Sequence, residues 1–384
     1  MENEVPPAPG NPLPPPPVAP PPVAPPPMIA PPPLPRMAPA PRPSRMKWVV
    51  ALVAVLFVFW VVRGIGRALH HTTGMAKTGA HGAHWLQETV LADHDSSDKI
   101  AVLDVNGVIS SSAIDRSGHS LVDLIKDQLE LAKEDSAVKA VILRVDSPGG
   151  EVLASDDIYR IIKNFQTDSK KPVITSMGSL AASGGYYVSA PTRWIVANEL
   201  TLTGSIGVIM HSYNYRGLMD KIGVRPDVFK SGKFKDMLSG EKLISPPEEQ
   251  AMVQSLVDET FARFKEIVAE GRGWAGSQNK SEGRKLTAKW ADYADGRVVS
   301  GKQAYDLGFV DELGNFETAV RRAEEIAGIN KANLVQYAQP FDIGSLFRLF
   351  GEAKTGSLIK IDLGVEMPKL QAGRLYFMCP TVVR

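Results

Sequence analysis

Of the 30 prolines in this 384-residue chain, 21 fall within residues 1–45 and 9 in the remaining 339. No other feature limits the fold so sharply. Each proline fixes its φ and lacks an N–H, so the stretch "PPAPGNPLPPPPVAPPPVAPPPMIAPPPLPRMAPAPRP" can enter neither a helix interior nor a central strand. Residues 1–45 are expected to be extended, polyproline-like and disordered. They read as a spacer, or as an arm that docks an unknown partner through an SH3- or WW-type groove.

Directly after the arm stands "MKWVVALVAVLFVFWVVRGIGRALHH". Its uncharged apolar run, Trp48–Val62, is 15 residues long, where a span needs about 20 and at least roughly 17. Lys47 and Arg63 lengthen it by snorkelling, and Trp48 and Trp60 suit the two interfaces. A signal peptide is the poorer reading, because 45 residues of proline-rich sequence come first and no clean small-x-small cleavage site follows the run directly. A core helix would not be apolar on every side. Residues 46–66 are therefore expected to form one transmembrane helix in the bilayer. Arg36, Arg42, Arg45 and Lys47 precede it, against Arg63, Arg67 and Lys77 after it. This excess places the N-terminus in the cytoplasm and the folded part outside it. Residues 67–97 form a juxtamembrane linker rich in glycine and histidine (His70, His71, His81, His84, His94). The linker reading is taken over a metal site, and no metal or cofactor is expected.

The formal net charge of +1 gives no basis for nucleic-acid binding. Cys379 is the single cysteine, which excludes an intrachain disulfide and any zinc site of two or more cysteines. From residue 98 the pattern alternates. "KIAVLDVNGVIS", "VKAVILRVDSPGG", "KPVITSMGS", "RWIVANE" and "TLTGSIGVIM" read as strands. "SLVDLIKDQLELAKED" and "EVLASDDIYRIIKNFQT" read as helices, and a long helix is expected over 246–272. Alternation of this kind predicts an α/β domain over 98–330, with a mostly parallel sheet covered by helices on both faces. Residues 331–384 form a C-terminal extension.

Two glycine-rich turns, "DSPGGEV" and "AASGGYY", each follow a strand and open a helix. Free N–H groups at such junctions attract a phosphate or an oxyanion. Neither phosphate signature, G-x-x-x-x-G-K-[ST] or G-x-G-x-x-G, is present. Ser183 lies between small residues in the second turn, which suits a nucleophile and equally an ordinary strand–helix connection, and no histidine or carboxylate lies within ten residues of it. If Ser183 is a nucleophile, its base comes from elsewhere in the chain.

In order, "DSPGG", "SMGSLAASGGYYVSAP", "TLTGSIGVIM" and "SGKFKDMLSG" resemble the S49 family of serine peptidases, the signal peptide peptidase A family. The resemblance covers about Lys99 to about Ile329. It implies a ClpP/crotonase-like fold and a Ser–Lys dyad, with Ser183 as nucleophile and Lys235 as general base. Ser205 takes the position of the serine that orients the lysine. Gly150 and Gly184 take those of the oxyanion N–H donors. It also implies apolar peptide substrates at the membrane, such as cleaved signal peptides or membrane-protein fragments, and a homo-oligomer. A lysine is a base only when neutral, so burial of Lys235 is expected. Lys233, two residues away, is the rival base; in a strand the two would share a face, with Asp236 turned to the other.

Other readings remain. A Ser-His-Asp hydrolase would have to use His119 or His211, and ClpP itself relies on a histidine. A crotonase-type enzyme would need an acyl-CoA site. Ser239-Gly-Glu-Lys242, Ser277-Gln-Asn279 and Lys354-Thr-Gly356 match the short motifs of penicillin-binding proteins, but the first lies in a loop where a helix start is required. A catalytically inactive, membrane-tethered peptide-binding scaffold would keep the fold without the chemistry.

Overall fold

"VKAVILRVDS" is apolar at nearly every position, the signature of a strand covered on both faces, and it runs through the middle of the main sheet. The computed structural model describes residues 85–115, 118–280, 282–340 and 374–379. The proline-rich arm, the expected span over 46–66 and four of the five linker histidines lie outside the described residues. Among the described residues, no helix is long and apolar enough to cross a membrane.

With strands and helices numbered in chain order, β3 (Val138–Ser147) lies between β2 (Lys99–Asn106) and β5 (Val173–Ala182), parallel to both. β6 (Trp194–Ala197) and β10 (Glu312–Leu313) extend the parallel sheet beyond β5. On the other side β11 (Asn333–Ala338) adds in parallel, and β1 (Gln87–Ala92) closes the edge antiparallel. β7 (Leu202–Gly204) pairs with the last residues of β5, and β9 (Val298–Ser300) pairs with β7. The protein is thus mixed α/β with a mainly parallel sheet. The sheet passes both expected limits, because β1 falls within 67–97 and β11 beyond 330. A smaller antiparallel sheet sets β12 (Leu375–Met378) between β4 (Gly149–Glu151) and β8 (Ile209–Met210).

Alternation along β3 feeds two cores. Val141, Leu143 and Val145 pack with α1 (Leu121–Glu134), α2 (Val152–Ser169), α3 (Gly184–Ser189) and the second half of α5 (Pro247–Gln278). Ala140 and Ile142 pack with Ile100, Val102 and Ile174, beneath Ala319 and Ala323 of α7 (Phe316–Ala327). Capping boxes start α1 (Ser120 with Asp123), α6 (Gly301–Leu307; Ser300 with Gln303) and α7 (Asn315 with Thr318). Each satisfies donors that the first turn leaves open. The short α4 (Arg216–Lys221) buries no residue.

Pro247 starts α5, which runs to Gln278, past the expected end at 272. Two features hold its second half to the core. A Cβ on Gly271 would lie 2.3 Å from the Ala190 carbonyl oxygen, so only glycine allows this approach to the end of α3. Next to it, Arg272 pairs with Asp311, both side chains 1% exposed. Asp311 also accepts from the Ile195 N–H at 2.9 Å and the Arg284 N–H at 3.2 Å, and Arg272 donates to the Thr192 carbonyl at 3.2 Å. Arg272→Ala would leave that carboxylate buried without its counter-charge. A loss of about 3–5 kcal/mol is expected, read as a lower denaturant midpoint in urea unfolding with the slope unchanged.

Candidate active site

β3 and β5 are neighbours, so the glycine-rich junctions that follow them meet at one end of the sheet, where parallel sheets place ligands. They meet backbone to backbone. A Cβ on Gly184 would stand 3.0 Å from Gly149 Cα and 3.1 Å from the Gly150 nitrogen. One on Gly185 would stand 2.8 Å from the Ser147 carbonyl oxygen. Gly149 adopts φ +101°, a backbone that side chains rarely allow. Asp146 braces the junction by accepting from the Leu180 N–H at 3.0 Å.

Ser183 lies between β5 and α3 with φ 55° and ψ −115°. For a residue with a Cβ this costs of order 1–3 kcal/mol. The surroundings impose it: the Ser183 N–H donates to the Gly204 carbonyl at 2.8 Å, and its carbonyl accepts from the Tyr187 N–H at 2.8 Å. The residue is 1% exposed. Among the described residues, its buried Oγ has no hydrogen-bond partner.

Ala182 pairs with Gly204 in register, so Ser183 and Ser205 leave adjacent ends of two parallel strands. Ser205 is also buried, at φ 50°, its N–H bonded to the Arg297 carbonyl at 2.8 Å. Gly150 sits in β4. Its neighbours Gly149 and Glu151 supply the backbone bonds to Ile109, which turns the Gly150 N–H to the opposite side, toward β12. The structure therefore brings Ser183, Ser205, Gly150 and Gly184 to one end of the sheet.

Lys235 differs from expectation. It is exposed, in a run of turns over 231–238 rather than a strand. Among the described residues its ammonium makes no hydrogen bond or ion pair. Strand parity therefore says nothing about its neighbours. Lys233 pairs with Glu248 and lies 5.0 Å over the Phe234 ring. Asp236 binds Lys230 at 2.9 Å and Lys242 at 3.0 Å. Hydrogen bonds from these two lysines, Lys230 first, hold its carboxyl down to about 2. It clasps the loop, and among the described residues it forms no ion pair with Lys235.

The rival constellations do not assemble among the described residues. His119 bonds Asp115 at 2.7 Å and stacks on Trp85 with ring centroids 4.0 Å apart, and it makes no hydrogen bond to Ser183. Ser239 stands in the same turn-rich loop, Lys242 is paired with Asp236 and Glu249, and Lys354-Thr-Gly356 lies outside the described residues.

Three contributors were missed by the sequence reading. Gly149 and Asp146 belong to the quoted "DSPGG", where the doubled glycine was the signal. The third is β12. "LYFM" is too short to stand out, and its partners lie far away in the chain.

A family model described as peptidase family S49 matches residues 165–330. A Synechocystis sp. protein provisionally named a protease is 38% identical over 232 residues, covering 60% of this chain and 76% of that one. An Enterococcus faecium protein provisionally named signal peptide peptidase SppA is 33% identical over 305 residues, 77% of this chain and 85% of its own. The chloroplastic serine protease SPPA of Arabidopsis thaliana is 33% identical over 249 residues, 63% of this chain and 35% of the relative. With most of the length of two such relatives matched, and the glycine-flanked Ser183 inside the matched segment, the chain belongs to peptidase family S49.

Proposed function

We propose that this peptidase is a membrane-anchored serine endopeptidase in which Ser183 is the nucleophile and Lys235 the general base. The observation that carries the reading is Ser183 itself: a strained backbone, a buried hydroxyl without a partner, and glycine N–H groups beside it. Strain of this kind collects at functional sites. Ser183 Oγ attacks the scissile carbonyl carbon while the Lys235 amine takes the hydroxyl proton. The N–H groups of Gly150 and Gly184 receive the oxyanion. Collapse breaks the C–N bond, and the lysine returns the proton to the leaving amine. Water, deprotonated by the same amine, then releases the acyl group as a carboxylate. Ser205 orients the lysine.

The single chain leaves Lys235 in water, and a neighbouring copy supplies what is missing. Exposed apolar side chains crowd the stretch that carries it: Leu218 is 61% exposed, Ile222 66%, Phe229 90%, Leu243 72% and Ile244 74%. Such concentrations mark interaction surfaces. A homo-oligomer formed through them would cover the loop and draw Lys235 toward Ser183. Substrates are apolar peptides at the membrane, held near the domain by the span over 46–66, with the domain outside the cytoplasm. The proline-rich arm spaces the anchor from an unknown partner.

The test is hydrolysis of a fluorogenic apolar peptide by the full chain in detergent. Ser183→Ala and Lys235→Ala are each expected to lower kcat by roughly 10²-fold or more, with Lys233→Ala unchanged. The rate should rise with pH on its acid limb, because the amine accepts a proton only when neutral. Full activity in Lys235→Ala would remove the dyad. Absence of cutting by the assembled protein, together with no labelling of Ser183 by a fluorophosphonate, would favour the inactive scaffold.

The strain has its own signature. Ser183→Gly and Ser183→Ala should be equally inactive, but the glycine variant should be the more stable by about 1 kcal/mol in urea unfolding.

A further inference from the structure

β5 changes neighbours partway along. Residues 174–176 pair with β6, and residues 180–182 with β7. On the other side its register with β3 breaks between Met177 and Ala181. Gly178 and Ser179 therefore pair with no strand, and the sheet opens there. The start of α7 borders the opening, with the Gly314 N–H tied to the Ala197 carbonyl at 2.9 Å. The result is a cleft of about 430 Å³. Its lining residues Arg144 and Ser176 share strand parity with Ile142 and Ile174, so it lies on the face of the sheet opposite α3. Ser183 is at most roughly 14 Å along the chain from Ser179.

The polar lining of this cleft donates. Arg144 gives its Nε and Nη2 groups to Asp104 at 2.6 and 2.8 Å and lies 5.8 Å over the Phe316 ring. Its Nη1 group makes no hydrogen bond among the described residues. Asn198 and Asn315 accept through Oδ1, from the Leu200 N–H at 2.9 Å and the Thr318 N–H at 3.1 Å. Among the described residues, neither has a partner for its side-chain NH₂. The Phe316 N–H, first in α7, is left open by the capping box. The sharpest observation is Ser176. It is 4% exposed and lines the cleft, yet its hydroxyl makes no hydrogen bond among the described residues. A polar group so buried calls for a partner, and the cleft is where one can enter.

No aspartate or glutamate lines the cleft. The Asp104 carboxylate is taken up by Arg144 and by Gln336 at 2.8 Å, and Asp146 turns to the Leu180 N–H at 3.0 Å. Donors from several sides, one of them a guanidinium, suit an anion. Met177, Leu200 and Phe316 add an apolar wall, which suits an anion carried on an apolar body.

We propose that this cleft binds the C-terminal carboxylate of an apolar peptide. The carboxylate accepts from the Ser176 hydroxyl, Arg144 and the Phe316 N–H. The side chains before it lie against Met177 and Leu200, and the peptide carbonyls take the Asn198 and Asn315 amides. A fatty acid carries the same charge but leaves those amides without partners. Binding does not depend on Ser183 being the nucleophile. The origin of the ligand does rest on that reading: each cut leaves a new C-terminal carboxylate, so the cleft holds product.

The experiment uses the full chain in detergent with Ser183→Ala, so that no peptide is consumed. Fluorescence polarisation follows fluorescein-labelled Leu-Ala-Leu-Ala with a free C-terminus, and the same peptide as its C-terminal amide. The acid should bind roughly tenfold or more tightly than the amide. Adding Ser176→Ala or Arg144→Gln should each weaken the acid by roughly that factor and leave the amide unchanged. Ser176→Ala removes only a hydroxyl, so it decides the matter even if Arg144→Gln fails to fold. Octanoate should displace the labelled acid far less well than the unlabelled peptide acid does. Equal binding of acid and amide overturns the proposal. So does a preference for the acid that survives Ser176→Ala, which would put the carboxylate elsewhere, such as beside the Gly150 and Gly184 amides. Displacement by octanoate as good as by the peptide would reassign the cleft to fatty acids. Hydrolysis by the unmutated chain is read separately, so the dyad can stand with the cleft empty or fall with it filled.

Discussion

Four glycines in backbone contact are the constraint on which the site depends. Gly149 and Gly150 end one junction, Gly184 and Gly185 begin the other, and any Cβ on Gly149, Gly150 or Gly184 would strike backbone or side-chain atoms of the surroundings. Because β3 and β5 are adjacent in the sheet, the two junctions cannot separate without breaking the core. Ser183 is caught between them. Its backbone bonds to Gly204 and Tyr187 hold a torsion that an isolated serine would leave. The rigidity of the sheet is thus converted into a fixed place for one hydroxyl and two amides.

The rest of the molecule divides by how firmly it is tied to that frame. The second half of α5 is fixed by Gly271 against α3 and by the buried Arg272–Asp311 pair. Its first half, together with the loop carrying Lys235, shares few buried side chains with the core. Ser183 and the amides of Gly150 and Gly184 therefore belong to the rigid part. The lysine belongs to a segment held by surface ion pairs such as Lys230–Asp236, which are individually weak. The proposed Ser183–Lys235 dyad would be divided in this way, complete or incomplete without any change in the core.

Most of the sheet was legible in the sequence. β2, β3 and β6 each carry an unbroken run of four apolar residues, and α1 and α2 repeat their buried residues at helical spacing, so local pattern and tertiary burial agree. The glycine junctions were legible for the same reason: their composition has little use outside close backbone contact. β1 was not, because "QETVLA" is an edge strand exposed along most of its length, and period-two patterning needs one buried face. β11 and β12 were hidden by distance, since pairing with residues hundreds of positions away leaves no local trace. The bends and turns over 231–238 form no ladder, so the strand parity weighed for Lys233, Lys235 and Asp236 does not apply there. The exposure of Lys235 could not be read at all, because what covers a loop is not encoded in the loop.

The slot between β4 and β8 has a consequence for solubility. A strand withdrawn from between two others leaves two rows of unpaired N–H and C=O groups, the arrangement that recruits foreign strands and seeds aggregation. Here the exposed rows would also lie next to an apolar pocket lined by Tyr187 and Phe264. β12 covers both rows with its own backbone, pairing with β4 on one side and β8 on the other. Residues 374–379 thus do for β4 and β8 what a neighbouring strand does inside a larger sheet: they leave neither row open to a foreign chain.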